Sequence, residues 1–357
     1  MKAQKTFKIL CINPGSTSTK IGLFANERQL KSLTISHSDA ELARFSSVAQ
    51  QFEFRAAKIR ETLALWRLDA LDAAVGRGGL LPPIAAGTYR VTPKMLNILE
   101  NSVRGEHASN LGAPLANAAA AEWNAPAFIV DPVCVDELLP EMRITGLKEL
   151  KRESLCHALN IRAIAHRYAL KKKTPLTKLN LIVAHLGGGF SFAAIEKGRM
   201  IDVINPRDEG PFSPERAGGL PFLSGLEYFM AKPDLTFKDI ERRLFGRAGV
   251  FSHFGTRDMR VFSAMVASGN RKAAMVYEAM ALQAAKAIAA LSASLSGRVD
   301  AILLTGGVAR DKAFIGKIKK RIKFIAPLFA FPGEDELKAM AEGALRVLTK
   351  KEAEKRL

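Results

Sequence analysis

The chain has 357 residues, of which 48% are hydrophobic and 25% are charged, so it is too long and too apolar for a disordered segment or a small disulfide-stabilised protein. Its 53 Lys and Arg residues outnumber 35 Asp and Glu residues, which gives a formal net charge of +18. The basic residues are scattered and only 7% of residues are aromatic. A basic surface that attracts anionic ligands is therefore favoured over a nucleic-acid interface.

The cysteines and the apolar runs bear on the compartment. There are three cysteines, an odd number without CxxC spacing, which argues against a disulfide framework and a zinc cluster. The apolar run over residues 9–12 ends at Asn13-Pro14-Gly15 and is too short for the core of a signal peptide. No later run approaches the roughly 18 apolar residues that a membrane span needs. We therefore expect a cytoplasmic protein that does not enter a membrane.

The first half predicts alternating strands and helices, beginning with a strand, a polar glycine turn and a second strand over residues 8–24. Thr92 and Pro93 suit the N-cap and the first turn of a helix. The other predicted elements of this half are helices over 39–68, 112–123 and 154–168 and strands over 71–75 and 127–130. The basic segment 171–178 is the predicted interdomain linker.

The second half begins like the first. A shift of 172 residues places Asn13 on His185 and Gly15 on Gly187, again between two predicted strands. Thr236, with an aspartate three residues later, predicts a helix opened by a capping box. The elements that follow are an alanine-rich helix over 271–295, a strand over 299–304, a basic helix, a strand over 328–331 and a final helix from Glu334. The repeat and the alternation predict an α/β architecture in two similar halves.

Three glycine turns each follow an apolar strand: Gly15, Gly187–Gly189 and Gly306–Gly307. Glycine at such a point lets backbone N–H groups approach phosphate oxygens. The sequence has no GxxxxGK[ST] of a Walker site, no GxGxxG that opens a helix and no GxSxG of a nucleophile elbow. The turns therefore predict a phosphate held between the two domains.

The order and wording of nine segments resemble the acetokinase family over nearly the whole chain. The segments are Asn13–Lys20, Gly76–Leu81, His107–Gly112, Phe128–Pro132, His157–Asn160, Ala184–Gly189, Gly210–Arg216, Thr305–Gly307 and Pro332–Glu336. The second and the seventh segments resemble the butyrate-specific branch of that family rather than its acetate-specific branch.

The resemblance implies an α/β fold with two similar domains of the superfamily that contains sugar kinases, actin and heat-shock chaperones, built on a duplicated ribonuclease H-like core. It implies an N-terminal acyl-substrate domain over 1–170 and a C-terminal nucleotide-binding domain over 171–335. A C-terminal helix over 336–357 would pack back on the N-terminal domain. A homo-oligomer built on dimers is also implied.

The implied reaction is the reversible transfer of the γ-phosphate of ATP, with Mg²⁺, to the carboxylate of butyrate, which gives butanoyl phosphate and ADP. A carboxylate is already a nucleophile, so the site needs arginines, a magnesium ligand and a hydrogen-bond donor rather than a strong base. Three alternatives stay open. They are a kinase for branched-chain acids such as isobutyrate, a non-enzymatic nucleotide-binding protein of the same fold and, last, a nucleic-acid-binding protein.

Four residues match the catalytic positions of the family. Arg77 corresponds to the arginine at the substrate carboxylate and Arg216 to the arginine at the transferring phosphoryl group; a guanidinium suits both because it binds two oxygens at once. Asp131 corresponds to a carboxylate that positions magnesium or the phosphoryl group, although an aspartate in a strand-end turn has the same pattern. His157 corresponds to a histidine that donates to the phosphoryl group in flight.

Other matches concern the acyl substrate and the metal. His107 corresponds to a second histidine near the acyl site. Asn13 corresponds to a nucleotide-phosphate or magnesium-water contact, or is a turn asparagine. The stretch Glu334, Asp335, Glu336 corresponds to an acidic segment with one magnesium-linked carboxylate in an open register, and favourable charges in a first helical turn would look the same.

The nucleotide matches fall on two glycine turns and one short acidic-basic pair. They are His185, Gly187, Gly188 and Gly189 for the β- and γ-phosphates, Gly306, Gly307 and Val308 for the adenosine, and Asp258 and Arg260 for the base and ribose. A purely structural role for His185 is an equal alternative. Arg257 departs from the family pattern, because butyrate-specific members usually have asparagine there.

Overall fold

The computed structural model describes residues 5–207 and 209–357, and their contacts form two compact units. Unit 1 contains the residues up to Asp136 together with Asp335–Leu357, and unit 2 contains Glu137–Glu334. The chain therefore leaves unit 1 well before the boundary expected at residue 170 and returns to it close to the expected start of the last helix.

Unit 1 is built on a six-stranded sheet with the strand order β3-β2-β1-β4-β6-β5. Its strands are β1 (Lys8–Pro14), β2 (Ser18–Ala25), β3 (Arg28–Ser36), β4 (Ala73–Gly76), β5 (Thr88–Arg90) and β6 (Ala127–Val130). The first three strands pair antiparallel, β4 and β6 extend the sheet in parallel from β1, and β5 pairs antiparallel with β6.

Helices cover both faces of this sheet. They are α1 (Asp39–Leu42), α2 (Phe52–Trp66), α3 (Pro93–Glu100), α4 (Gly112–Ala121) and α12 (Glu336–Leu348). Ile21 and Leu23 of β2 belong to an apolar core shared with α2 and α4, whereas Gly22 between them faces Leu337 of α12. Because side chains alternate along a strand, α12 lies on the face opposite α2 and α4.

Unit 2 repeats this arrangement in a five-stranded sheet with the order β11-β10-β7-β8-β9. Its strands are β7 (Asn180–Leu186), β8 (Phe190–Glu196), β9 (Arg199–Ile204), β10 (Ala301–Gly306) and β11 (Leu328–Pro332). Strands β7, β8 and β9 pair antiparallel, and β10 and β11 extend in parallel from β7. Leu181 pairs with β10 as Ile9 pairs with β4, so the predicted duplication of an α/β unit is confirmed.

The helices of unit 2 are α5 (Ala158–Lys172), α6 (Phe222–Met230), α7 (Phe237–Gly246), α8 (Gly249–Phe254), α9 (Met259–Ala267), α10 (Arg271–Ser294) and α11 (Lys312–Ile322). Helix α5 packs on β7 and β10, and its Tyr168 ring lies 5.2 Å from the ring of Phe329. This packing places α5 in unit 2. The predicted linker 171–178 is instead the end of α5 and a 3₁₀ turn, Leu176–Lys178.

Helix α10 corrects the expectation that no segment approaches a membrane span. It is long and apolar enough to cross a membrane by length and composition. In this fold, however, it is a core helix: it packs on β8 and β9, and Met280, Ala284 and Ile288 are completely buried. Length and composition alone are therefore weak support for a span here.

The capping residues predicted where helices begin, but the sequence pattern did not predict how far the helices extend. The Thr92 side chain accepts a hydrogen bond from Met95 N, and Thr236 forms the predicted capping box with Asp239. The single helix predicted over 39–68 is wrong, because α1 ends at Leu42 and α2 begins at Phe52. Between them the Ser46 backbone and hydroxyl bind the Gln50 side chain, a local contact that competes with helix formation.

Candidate active site

The second glycine turn, Gly187–Gly189, joins β7 to β8 and lies among charged side chains of unit 2. A methyl group on Gly187 would lie 2.6 Å from Glu334 Oε1, and one on Gly188 would lie 2.8 Å from Glu215 Oε1. Side chains at these two positions would displace the Glu334 and Glu215 carboxylates, which now lie close against the backbone of the turn.

Arg216 lies directly against this turn. A methyl group on Gly189 would lie 2.6 Å from both Cζ and Nε of Arg216. Its Nη1 donates to the Pro206 carbonyl at 3.3 Å, whereas Nε is buried without a hydrogen-bond partner among the described residues. Burial lowers the pKa of the guanidinium, which the Glu215 carboxylate partly offsets, and arginine starts so high that the group stays charged. A charged donor with an unfilled hydrogen bond beside a glycine turn is an arrangement that binds an anion.

Ser213 anchors the loop that carries Arg216. Its hydroxyl donates to the Gly188 carbonyl at 2.5 Å and accepts from Arg216 N at 3.2 Å. Gly249 supports the same loop, since a methyl group there would lie 1.8 Å from the Ser213 carbonyl oxygen. The position of Arg216 relative to the turn is thus determined by backbone contacts as well as by its own side chain.

A cavity of about 580 Å³ opens beside the turn within unit 2. Residues selected from the sequence contribute to its lining, namely Gly187, Gly188, Asp258, Arg260, Gly307, Val308 and Glu334. Residues to which the sequence assigned no binding role complete the lining, namely Pro214, Arg257, Met259, Ser263, Arg310 and Asp311. Its volume falls in the range of cofactor and ligand sites.

Asp258 and Arg260 form an ion pair at the cavity, with Arg260 Nη2 2.6 Å from Asp258 Oδ2. Hydrogen bonds from the Arg260 side chain lower the pKa of Asp258 to about 2. Asp258 also caps α9 by accepting from the Arg260 backbone N–H. The pair therefore fixes the start of the helix that contributes Ser263 to the cavity wall.

The histidines His157 and His185 stack on each other, with ring centroids 4.1 Å apart and planes 24° apart. His157 Nδ1 lies 2.7 Å from Ser191 Oγ, and His185 Nε2 lies 3.4 Å from Glu334 Oε1. His185 is 2% exposed, and its Nδ1 has no hydrogen-bond partner within residues 5–207 and 209–357. Both predicted histidines therefore belong to one cluster with Glu334 in unit 2.

In unit 1, Arg77 follows β4 in a loop that is pressed against backbone. A methyl group on Gly76 would lie 2.0 Å from the Gly112 carbonyl oxygen, and one on Gly112 would lie 2.0 Å from the Arg77 carbonyl oxygen. Arg77 N donates to the Ile12 carbonyl at 2.9 Å, which continues the pairing of β4 with β1. The two glycines let the loop touch the start of α4, and this contact fixes the backbone that carries Arg77.

The Arg77 side chain is buried and donates from Nη1 to Glu336. The other oxygen of that carboxylate accepts from Asn13 Nδ2 at 2.5 Å. Three selected residues from distant parts of the sequence thus form one cluster in unit 1. Asp335 instead accepts from Lys338 N as the N-cap of α12.

Asp131 and His107, the other selected residues of unit 1, each accept a backbone hydrogen bond. Asp131 is 2% exposed with a φ of 38°, and its Oδ1 accepts from Gly87 N at 2.7 Å. His107 Nδ1 accepts from Ser109 N at 3.2 Å, so the proton of the neutral ring is on Nε2. A buried aspartate in the left-handed region is strained, which is a feature of constrained sites.

The acidic residues of the site differ in their fit to Mg²⁺. No three His, Cys, Asp or Glu side chains converge on a preformed metal site in the part of the chain that the structure describes. A kinase magnesium ion needs only one or two carboxylates, since waters and substrate phosphates complete its shell. Glu336 beside Asn13, and Glu334 beside the glycine turn, are oxygen donors of that kind, whereas the Asp335 carboxylate is engaged in its cap.

Gly189 and Gly306 are selected residues that do not line the cavity. Gly189 instead makes room for Arg216. Gly306, with a φ of 94°, exchanges backbone hydrogen bonds with Gly333, and a methyl group on it would lie 2.3 Å from the Leu186 carbonyl oxygen. Its role in this structure is close packing of β10 against β7.

Sequence reasoning missed Ser191, Ser213 and Arg310. The first two are hydroxyl residues within or just after segments that were already selected, and Arg310 follows the third glycine turn. Proximity to a glycine turn was therefore the available signal, but it does not say which side chain points inward.

Comparisons with known proteins show what the whole chain is similar to. The profile of the Acetokinase family matches residues 153–329. Butyrate kinases 1 and 2 of Clostridium acetobutylicum are each 46% identical to this chain, over 98% of this chain and 99% of each relative.

Solved structures show the same fold at low identity. Acetate kinase from Porphyromonas gingivalis superposes with a TM-score of 0.76 at 17% identity, and a propionate kinase from Francisella tularensis superposes with a TM-score of 0.74 at 18% identity. Each match covers 95% of this chain and 99% of the other. The identity to the two relatives extends over nearly the full length of both chains, and this chain belongs to the acetokinase family.

Proposed function

We propose that this protein transfers the γ-phosphate of ATP to the carboxylate of butyrate, which gives butanoyl phosphate and ADP in a reversible reaction. As a member of its family the chain is a carboxylate kinase that uses ATP. Butyrate as the acceptor is supported by the two relatives of 46% identity, both of which are named butyrate kinases.

The placement of Arg216 is the observation that carries the kinase chemistry. Its guanidinium touches the glycine turn that lines the cavity of unit 2, and its buried Nε–H has no hydrogen-bond partner among the described residues. In phosphoryl transfer, catalysis consists mainly of positioning and of stabilising charge on the equatorial oxygens. A guanidinium beside a glycine turn, whose backbone N–H groups can approach phosphate, supplies both the positioning and the charge stabilisation.

Both units provide groups for the reaction. In this proposal the cavity of unit 2 takes ATP, and Arg77 in unit 1 takes the acid. A carboxylate oxygen attacks the γ-phosphorus, and the bond from that phosphorus to the β–γ bridging oxygen breaks, so ADP leaves with the electron pair. Both reactants are anions, and the two guanidinium groups offset their repulsion.

Glu336 already occupies one nitrogen of Arg77. A guanidinium carries five N–H donors, so Arg77 can hold Glu336 and a substrate carboxylate together. We propose that Glu336 thereby orients Arg77, and that Asn13 orients Glu336. His157, held by Ser191, is the proposed donor to the phosphoryl group.

Magnesium would be held by one or two of the oxygen donors described above. Glu336 with Asn13, or Glu334 at the glycine turn, are the proposed donors. When bound, the ion would neutralise phosphate charge. Asp131 is proposed to position the phosphoryl group or the metal from its strand end.

We also propose a homo-oligomer built on dimers and a cytoplasmic location, which follow from the family resemblance. Light scattering coupled to gel filtration tests the first, and fractionation of cells tests the second. A monomer at micromolar concentration would contradict the oligomer.

Steady-state kinetics with MgATP and a panel of acids tests the function: acetate, propionate, butyrate, isobutyrate and valerate. One methylene in an apolar pocket is worth roughly 1–3 kcal/mol, so we expect kcat/KM for butyrate to exceed that for acetate by about tenfold or more, with smaller differences among its neighbours. A clear maximum at isobutyrate would favour the branched-chain alternative. Absence of turnover with every acid would contradict the proposal.

The variant Arg216→Ala tests the role of the guanidinium. We expect kcat to fall by about 10³-fold while the protein remains folded. Arg298→Ala is the matched control, because Arg298 is an exposed arginine of the same unit. Near-normal turnover of Arg216→Ala would remove this residue from the reaction.

A further inference from the structure

Arg55 lies on the first turn of α2 and is 1% exposed. Its guanidinium makes six hydrogen bonds of 2.8–3.2 Å, and every acceptor is a neutral oxygen. The acceptors are the carbonyls of Gly15, Ser16 and Ser18, the Thr19 hydroxyl and, twice, the Gln51 amide. Burial lowers the pKa of this guanidinium, and no carboxylate counteracts that shift.

These bonds fix which backbone groups of the turn between β1 and β2 point toward Arg55 and which point away from it. The three carbonyls that bind Arg55 face inward, and the Thr17 carbonyl accepts from His37 N at 2.8 Å. The backbone N–H groups of Ser16 and Thr17 have no acceptor in the described ranges 5–207 and 209–357, and both residues are exposed. Successive N–H groups that face out of a turn form a concavity that binds anions.

The charge of Arg55 has a consequence separate from its hydrogen bonds. Neutral donors could satisfy the same carbonyls without the cost of burying a charge that lacks an acidic partner. Because the guanidinium lies directly behind the turn, its positive potential adds to that of the outward N–H groups. Both contributions favour an anion at the same place.

Thr19 and His37 complete the support behind the turn. Thr19 Oγ1 accepts from Arg55 and shares a hydrogen bond of 2.9 Å with His37 Nε2. Burial, and then the charge of Arg55, lower the pKa of His37. The ring is therefore neutral at physiological pH and adds no charge behind the turn.

We propose that Arg55 is a positioning residue that shapes the turn Gly15–Thr19 into a site for a phosphoryl group of the nucleotide. It acts through the backbone of the turn and does not touch the ligand. The inference rests on the proposed function, because a kinase supplies a ligand of this chemistry. It assigns a role to a residue outside every segment that resembles the family.

The test compares Arg55→Met and Arg55→Lys with Arg60→Met, a control on the same helix whose side chain is half exposed. Lysine keeps the charge but cannot bridge acceptors as a planar guanidinium does. We expect kcat/KM for ATP to fall by about 100-fold with methionine and about 10-fold with lysine, because small misplacements of a binding group are costly. KM for butyrate should stay within about twofold in both, since Arg77 and not the turn is proposed to bind that substrate.

A merely structural role makes a different prediction. The variants would then melt at lower temperature, but kcat/KM for ATP per folded molecule would match that of the wild type, and this result would overturn the proposal. Should Arg55→Met not fold, Gln51→Ala decides, because it removes two of the six bonds and leaves the arginine in place. An unchanged KM for ATP in that variant would also overturn it.

A binding measurement separates this inference from the proposed function. Calorimetric titration with inorganic phosphate and with ATP should show weaker binding to Gln51→Ala and Arg55→Lys than to Arg60→Met. This readout needs no acid substrate. If the wild type phosphorylates no acid, the proposed function fails, while a loss of phosphate binding in these variants would still support the role of Arg55.

Discussion

The substitution Gly189→Ala would displace the Arg216 side chain without removing it. It therefore tests whether the position of the guanidinium matters for the reaction. All three atoms nearest to the added methyl group belong to the Arg216 side chain, at 2.6 Å for Cζ and Nε and 2.9 Å for Cδ. The φ of Gly189 lies outside the left-handed region, so alanine is compatible with the backbone. The clash can therefore be relieved only by the arginine side chain, which is flexible, and not by the sheet.

The structure sets the size of the effect. A methyl carbon and a guanidinium atom need about 3.5 Å between them, so the guanidinium must move by roughly 1 Å. A misplacement of that size costs about 100-fold in rate. We expect kcat of Gly189→Ala to fall by about that factor, which corresponds to about 2.7 kcal/mol of transition-state stabilisation, while unfolding free energy changes by less than about 1 kcal/mol.

The measurement is kcat with saturating MgATP and butyrate, alongside thermal unfolding of the same samples. Gly316→Ala in α11 is the matched control, because nothing lies within 4 Å of the added methyl group. That control should gain about 0.5–1 kcal/mol of stability from helix propensity and keep its activity. If Gly189→Ala retains kcat within about threefold of the wild type, the position of Arg216 does not matter and the reasoning fails.

Three further predictions concern acid binding, folding and pH. Arg77→Met should raise KM for butyrate by about 100-fold and leave KM for ATP within about twofold of the wild type. It should also lower the melting temperature, because Glu336 loses its partner. Equal changes in both KM values would contradict this prediction. Gly76→Ala should destabilise the fold by about 3 kcal/mol, because its methyl group meets backbone that cannot move aside, and unchanged chemical denaturation would refute the close contact. Burial raises the pKa of the Cys134 thiol from 9.0 to about 11, so the folded protein keeps a proton that the unfolded chain releases. Stability should therefore fall between pH 9 and 11, by up to about 1.4 kcal/mol per pH unit for this thiol, and Cys134→Ala should flatten that slope in urea titrations.

Features that depend on neighbours in the sequence were predictable. Helix caps at Thr92 and Thr236 were identified from a few residues because the hydrogen bonds that form them span three positions. The strand–turn–strand repeat was recognisable because each of its elements has a local sequence pattern: an apolar run in each strand and glycine in the turn. The split between α1 and α2 was missed because a competing contact, from Ser46 to Gln50, outweighs the helical pattern around it.

The domain boundary could not be read from local composition. A basic segment with a proline resembles a linker, but α5 just before it buries its face on β7 and β10. Which sheet a helix covers depends on strands that lie elsewhere in the sequence. Membership of unit 2 therefore follows from packing and not from the segment itself.

The sequence alone determined the duplicated α/β plan, the family and most of the residues gathered around the cavity of unit 2. Only the tertiary structure distinguished the three consecutive acids: Glu334 faces the second glycine turn, Asp335 caps α12, and Glu336 binds Arg77 and Asn13. The chain passes from unit 2 to unit 1 between the first two, so neighbours in sequence acquire unrelated surroundings. Arg55 shows the same limit, because a solvated arginine and one enclosed by carbonyls from 37 to 40 residues away can have the same local sequence. The fold decides the partners of a side chain, because it brings backbone groups from distant parts of the sequence within about 3 Å of it. Local sequence patterns do not contain that information.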